Sequence, residues 1–144
     1  MERARMRLEH IGVVVADIDA AREYYEALFG CRPLTGVLVE PAHDVRVQLL
    51  DAGHGPMPCI ELVTPLGEGS RVAAFLKKTG GGLHHNAFAV PDIEQALAHL
   101  KSKRAMVISD IVIGAAHKAR TVWLFTPLRE LVELIEMPGL GVKA

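Results

Sequence analysis

Two stretches of the chain carry the same pattern: LEHIGVVVADIDAA at residues 8–21 and LHHNAFAVPDIEQA at residues 83–96. A shift of 75 residues superposes them, and in each a run of strand-forming residues is followed by an Asp-Ile pair. The aspartates suit helix N-caps, because their carboxylates can accept hydrogen bonds from the first turn. The aligned pairs are Leu8 with Leu83, His10 with His85, Val15 with Val90, Asp17 with Asp92, Ile18 with Ile93 and Ala21 with Ala96.

The match continues through each half of the chain. The shift first stays the same and then, after a loop that is three residues shorter in the second half, becomes 72. Because the order of the matched residues is kept, the chain is predicted to contain an internal duplication. The further pairs are Val47 with Val122, Gln48 with Trp123, Leu49 with Leu124, Glu61 with Glu133 and Leu62 with Leu134.

Each half is predicted to fold as a βαβββ module. The predicted helices are Ile18–Phe29, Val72–Lys78 and Ile93–Lys103. The predicted strands are Leu8–Val15, Pro33–Glu40, Asp44–Asp51, Pro58–Thr64, Leu83–Val90, Val107–Ile113, Ala119–Phe125 and Glu130–Glu136. We therefore predict one compact α+β domain in which modules at 6–66 and 82–138, joined by a linker with a short helix at 67–81, form a cupped mixed sheet.

The composition excludes several classes of function. The 144 residues carry a net charge of −1, so no broad basic surface favours nucleic acid. No apolar run approaches the roughly 18–20 residues of a membrane helix, and the basic start MERARMRLEH is not followed by the apolar segment of a signal peptide. Cys31 and Cys59 are isolated and lack metal or redox spacing. These features predict a cytoplasmic protein.

The duplication superposes two polar pairs on predicted strands, His10 with His85 and Glu61 with Glu133. Imidazoles and carboxylates are costly to bury unless something compensates them, and a divalent metal ion binds both. The pattern therefore predicts a metal site made of these four residues. Strand alternation places His84 on the opposite face from His85. The remaining histidines, predicted in loops or on a helix surface, are His43, His54, His99 and His117.

The extended stretches LEHIGVVVADIDAAREYYEALFG and GGLHHNAFAVPDIEQALAHLKSK resemble the module openings of the vicinal oxygen chelate superfamily. This superfamily includes glyoxalase I, extradiol dioxygenases and bleomycin-resistance proteins. The linker IELVTPLGEGSRVAAFLKKTGGGLHH and the segment IGAAHK are similar to its methylmalonyl-CoA epimerase branch. The resemblance implies a homodimer and a divalent ion (Co, Mn, Ni, Zn or Fe) held by His10, Glu61, His85 and Glu133.

The same resemblance implies an isomerase that removes a proton next to a carbonyl group, with a small-molecule substrate such as an acyl-CoA thioester. Glu133 and Glu61 are the candidate bases. Gln48 stands where some epimerases carry a glutamate, and together with Trp123 it is expected to shape the substrate pocket. Two alternatives stay open on this scaffold: a glyoxalase I-like lactoylglutathione lyase, and a metal-free small-molecule-binding protein of the resistance type.

Overall fold

The two halves of the chain repeat one order of elements. The structure, a computed structural model, describes residues 5–141. Three α-helices and a mixed, open sheet in this range confirm the predicted α+β class. The helices are α1 (Ile18–Phe29), α2 (Arg71–Thr79) and α3 (Ile93–Ser102). The strands are β1 (Arg7–Val14), β2 (Arg32–Pro33), β3 (Leu38–Glu40), β4 (Val45–Asp51), β5 (Cys59–Pro65), β6 (Gly82–Val90), β7 (Met106–Val107), β8 (Val112–Gly114), β9 (Ala119–Phe125) and β10 (Leu131–Glu136).

The predicted N-caps begin the two equivalent helices. The Asp17 carboxylate accepts a hydrogen bond from the Ala20 N–H at 3.0 Å, and the Asp92 carboxylate accepts one from the Gln95 N–H at 3.0 Å. Helix α1 ends at Gly30, whose φ of 69° is the left-handed conformation that glycine adopts without strain. None of the helices in residues 5–141 has the length and apolar character that crossing a bilayer needs.

Two strands that the sequence predicts as continuous are each divided in the structure. The predicted strand Pro33–Glu40 is replaced by β2 and β3, and the predicted strand Val107–Ile113 is replaced by β7 and β8. In the intervening loops, the hydroxyl groups of Thr35 and Ser109 accept hydrogen bonds from backbone N–H groups of β4 and β9, at 3.2 and 2.8 Å. In both loops a side-chain hydroxyl, and not a backbone carbonyl, accepts the hydrogen bond, so the backbone hydrogen bonding between the strands is interrupted there.

The strand registers correct the predicted shift between the halves. In the pairing of β4 with β5, Leu49 lies opposite Glu61. In the pairing of β9 with β10, Trp123 lies opposite Glu133. The two loop hydroxyls accept their hydrogen bonds from the backbone N–H groups of these same residues, Leu49 and Trp123. The predicted pairing of Gln48 with Trp123 is therefore wrong by one residue.

Each half has a hydrophobic core of its own. Backbone contacts divide the chain into the unit His10–His84 and a second unit, which joins the start of the chain up to Glu9 with the described residues from His85 onward. The predicted module boundaries at 6–66, 67–81 and 82–138 stay a prediction. Buried in the first core are Val13, Ile18, Cys31, Leu50 and Leu62. Buried in the second are Val90, Ile93, Ala96, Leu97, Val122, Leu124, Val132 and Leu134.

Candidate metal centre

The unit His10–His84 places one histidine beside one glutamate on neighbouring strands. The parallel register of β1 with β5 sets His10 opposite Cys59 and Gly12 opposite Glu61. Because directly paired residues share a face of the sheet and alternate residues return to it, His10 and Glu61 project from the same face. His10 Nε2 lies 3.3 Å from Glu61 Oε1, and both side chains are buried.

The second unit contains the same pair. Strands β6 and β10 are parallel, with Ala87 opposite Glu133, so His85, two residues before Ala87, shares the face of Glu133. His85 Nε2 lies 4.0 Å from Glu133 Oε1, and their side chains are 3% and 8% exposed. Each half therefore presents an imidazole nitrogen near a carboxylate oxygen at a site that excludes most water.

The donor chemistry of these pairs fits a divalent ion. Two ligands of one ion, each bonded at about 2.1 Å, stand roughly 3 to 4 Å apart, and both pairs fall in this range. Buried carboxylates need a compensating charge, and neutral imidazole with ionised carboxylate is a common ligand set for such ions. Each unit thus supplies one buried imidazole and one buried carboxylate of the kinds that bind a divalent metal ion: His10 with Glu61, and His85 with Glu133.

The two predicted pocket residues lie in different positions relative to their glutamates. Trp123 is directly opposite Glu133 and packs edge-on against His85, with 4.7 Å between ring centroids and 83° between ring planes. Gln48 is opposite Leu62 and so lies on the other face of its strand pair from Glu61. The duplication therefore gives no reason to expect Gln48 and Trp123 in equivalent positions.

Gln48 instead occupies a buried position with an incomplete set of hydrogen bonds. Its Nε2 donates to the Thr35 carbonyl at 2.9 Å, which fixes the orientation of the amide. Its Oε1 is buried and has no hydrogen-bond partner among the described residues. The equivalent residue of the other half is Val122, a fully buried core side chain. Gln48 thus stands where the second half has an apolar core residue.

His43 lies near Glu61 but is not among the residues that the duplication superposes. It ends the short 3-10 helix Pro41–His43 between β3 and β4 and is half-buried. Burial lowers the pKa of His43, while the carboxylates of Glu40 and Glu61 act in the opposite direction. The sequence carries no periodic signal for it because it lies in a turn. Its one sequence signal is the Glu-x-x-His spacing from Glu40, a buried residue.

Two other histidines make packing and pairing contacts that the duplication does not indicate. His84 packs edge-on against Phe75, with 4.8 Å between ring centroids. His117 Nε2 lies 2.9 Å from Glu9 Oε1, and Glu9 is buried. The prediction of His117 as an ordinary loop residue misses this contact, because the hydrophobic pattern gives no sign of a pair so far apart in the chain.

Similarity to known proteins agrees with this architecture. The model of the Glyoxalase/Bleomycin resistance protein/Dioxygenase superfamily matches residues 9–122. The mitochondrial methylmalonyl-CoA epimerase of Bos taurus is 35% identical over 119 residues, which cover 82% of this chain and 66% of the bovine protein. The chain therefore spans just under two thirds of that relative. The ethylmalonyl-CoA/methylmalonyl-CoA epimerase of Cereibacter sphaeroides is 39% identical over 103 residues, covering 71% of this chain and 74% of that protein.

A solved structure supports the same relationship. It is a variant of Streptomyces coelicolor methylmalonyl-CoA epimerase in complex with 2-nitronate-propionyl-CoA, which aligns with a TM-score of 0.78 at 30% identity. The alignment covers 90% of this chain and 96% of that one. The family resemblance read from the two module openings is thereby confirmed. The chain belongs to the glyoxalase/bleomycin resistance protein/dioxygenase superfamily.

Proposed function

We propose that this chain is a divalent-metal-dependent isomerase of the methylmalonyl-CoA epimerase type, which removes and returns a proton next to a carbonyl group. The observation that carries the proposal is the buried His–Glu pair that occurs once in each half, at 3.3 and 4.0 Å. Relatives named as methylmalonyl-CoA epimerases, from bovine mitochondria and from Streptomyces coelicolor, support it.

The metal ligands in this proposal are His10, Glu61, His85 and Glu133. These two imidazoles and two carboxylates would supply four ligands, and an ion that accepts more than four would also bind a substrate with two neighbouring oxygens. A divalent ion bound there supplies Lewis-acid stabilisation of the negative charge that develops on the carbonyl oxygen.

The two glutamates are also the proposed proton carriers. A carboxylate has two oxygens, so one can hold the ion while the other accepts the proton next to the carbonyl group. Inversion of that carbon requires one glutamate, ionised, to accept the proton on one face, while the other, protonated, donates a proton on the opposite face. Glu61 and Glu133 come from different halves of the duplication, which suits a division of the two steps between them.

The proposed substrate is an acyl-CoA thioester with an acidic hydrogen between two carbonyl groups. Support comes from the names of the relatives and from the 2-nitronate-propionyl-CoA bound to the Streptomyces protein. The homodimer implied by the family resemblance belongs to this proposal as well. A thioester carbonyl beside a carboxylate offers the two neighbouring oxygens that such an ion would bind.

Metal binding tests the proposal without requiring the substrate. We expect the chelator-treated protein to take up one Co²⁺ or Mn²⁺ per chain in a calorimetric titration. His10→Ala and His85→Ala each remove a ligand and should weaken binding by at least about 100-fold, beyond the effect of changing a residue that only supports a ligand. His99→Ala, on the exposed surface of α3, is the matched control and should bind as the wild type does. A wild-type protein that takes up no divalent ion would contradict the proposal.

A further inference from the structure

We propose that Trp123 is a positioning residue for the metal centre: its indole holds the His85 imidazole in the orientation that binds the ion. The inference rests on the proposed function, because it takes His85 to be a metal ligand. It assigns Trp123 a role different from that of a pocket wall, and it predicts an effect on metal affinity itself.

Three adjacent strands of one unit bring the residues together. Strand β10 lies between β6 and β9, with Glu133 paired to Ala87 on one side and to Trp123 on the other. Directly paired residues share a face, so His85, Ala87, Glu133 and Trp123 all project from the same side. Ala87, two residues after His85 on β6, carries only a methyl group and so leaves space beside the imidazole.

The contact itself is a well-formed aromatic pair. The rings of Trp123 and His85 meet at 4.7 Å between centroids with an angle of 83°, the edge-to-face arrangement that aromatic pairs favour. The His85 side chain is 3% exposed, and its Nε2 is 4.0 Å from the Glu133 carboxylate, beyond hydrogen-bond distance. The indole contact restricts the rotation of the imidazole ring.

The duplication supplies an internal comparison. The residue equivalent to Trp123 is Leu49, which lies opposite Glu61 and has no ring to present to a histidine. The His10 and Glu61 atoms are 3.3 Å apart. Metal ligands must be held to within about 0.5 Å and 10–20° of the binding geometry. The indole contact acts on the pair whose atoms are farther apart, His85 and Glu133.

The experiment compares cobalt affinity in four proteins by calorimetry: wild type, Trp123→Phe, Trp123→Leu and Phe125→Leu. Trp123→Leu should weaken Co²⁺ binding about 10-fold or more, the range seen when a residue that orients a ligand is lost. Trp123→Phe keeps an aromatic edge and should restore most of the affinity. Phe125→Leu makes the same class of change two residues along the strand, at an exposed site, and should bind as wild type does. If Trp123→Leu fails to fold, Trp123→Met keeps more of the volume without a planar ring.

A spectroscopic readout accompanies the titration, because Trp123 is the one tryptophan of the chain. We expect bound Co²⁺ to quench its fluorescence with the same saturation curve as the calorimetric signal, and His85→Ala to abolish the quench. Equal affinity of wild type and folded Trp123→Leu would overturn the inference and leave the metal proposal standing. Absence of Co²⁺ binding in the wild type would overturn both.

Discussion

The two buried glutamates make the sharpest prediction at the scale of single residues. Glu61→Gln and Glu133→Gln each keep an amide oxygen that can face the ion but cannot take up a proton. We expect each change to lower the rate of epimer interconversion by about 10²- to 10⁴-fold, the usual contribution of a positioned base. The interconversion rate is measured on each methylmalonyl-CoA epimer separately by a stereospecific assay.

Hydrogen exchange distinguishes loss of one proton carrier from general damage. If the two carboxylates act on opposite faces, each variant should still exchange the acidic hydrogen of one epimer with deuterated solvent while failing to invert it. Glu23→Gln, at an exposed position of α1, should leave both rates unchanged. If Glu61→Gln and Glu133→Gln both interconvert the epimers at the wild-type rate, these carboxylates are not the proton carriers.

The sequence predicts the four buried donors, but not every polar residue near them. His10, His85, Glu61 and Glu133 can be found because a duplication superposes polar residues at strand positions where apolar ones are expected. His43 lies in a turn, where no periodic pattern indicates which way a side chain points. Its approach to Glu61 depends on the path of the chain between β3 and β4, which sequence patterns do not specify.

At the scale of the strand, a shift of one residue decides which face a side chain occupies, because the side-chain period is two. The sequence alignment pairs Gln48 with Trp123, whereas the hydrogen-bonded register pairs Leu49 with it. Arg32 and Met106, the first residues of β2 and β7, already show the corrected shift, because they pair with Asp51 and Phe125. The one-residue change therefore lies before them, between the start of α1 or α3 and the strand that follows.

The glycine run after α2 has a structural role that the sequence predicts only in part. The run predicts a helix end, and Gly80 does end α2 in the left-handed conformation. Gly81 has a further role: its φ is 102°, and a Cβ there would lie 2.6 Å from the Val14 carbonyl oxygen. This glycine therefore permits the end of β1 to pass close to the linker, a contact that only the folded backbone reveals.

The turn between β3 and β4 should make the stability of the metal-free protein depend on pH. Burial lowers the pKa of His43 from the ordinary 6.5, against the pull of Glu40 and Glu61. As pH falls below 6.5, the unfolded chain binds a proton on this residue more readily than the folded chain does, so the free energy of unfolding decreases until the folded pKa is passed. Above pH 6.5 this loss is absent.

His43→Gln should remove that part of the acid sensitivity. The measurement is urea unfolding of metal-free wild type and variant between pH 7.5 and 5, followed by circular dichroism. We expect the stability of the wild type to fall relative to that of the variant as the pH decreases below 6.5, and the two curves to run parallel above it. Parallel curves over the whole range would show that burial does not depress the pKa of His43.

At the scale of the whole molecule, the duplication predicts the βαβββ order of both halves and the α+β class, because two weak patterns that agree are stronger than either alone. The structure adds that each half holds its own apolar core and its own His–Glu pair. Membership of the superfamily follows from the match over residues 9–122. Substrate identity depends on the side chains around the donors, which differ among proteins of one fold.

The central claim is that the two His–Glu pairs make this chain a metal-dependent epimerase. The most direct measurement incubates one epimer of methylmalonyl-CoA with the cobalt-loaded protein in deuterated solvent and follows both configuration and deuterium at the carbon between the two carbonyl groups. We expect the epimers to equilibrate with uptake of deuterium, the activity to disappear when the ion is chelated, and Co²⁺ to restore it. Unchanged configuration and no deuterium uptake with the ion bound would contradict the claim.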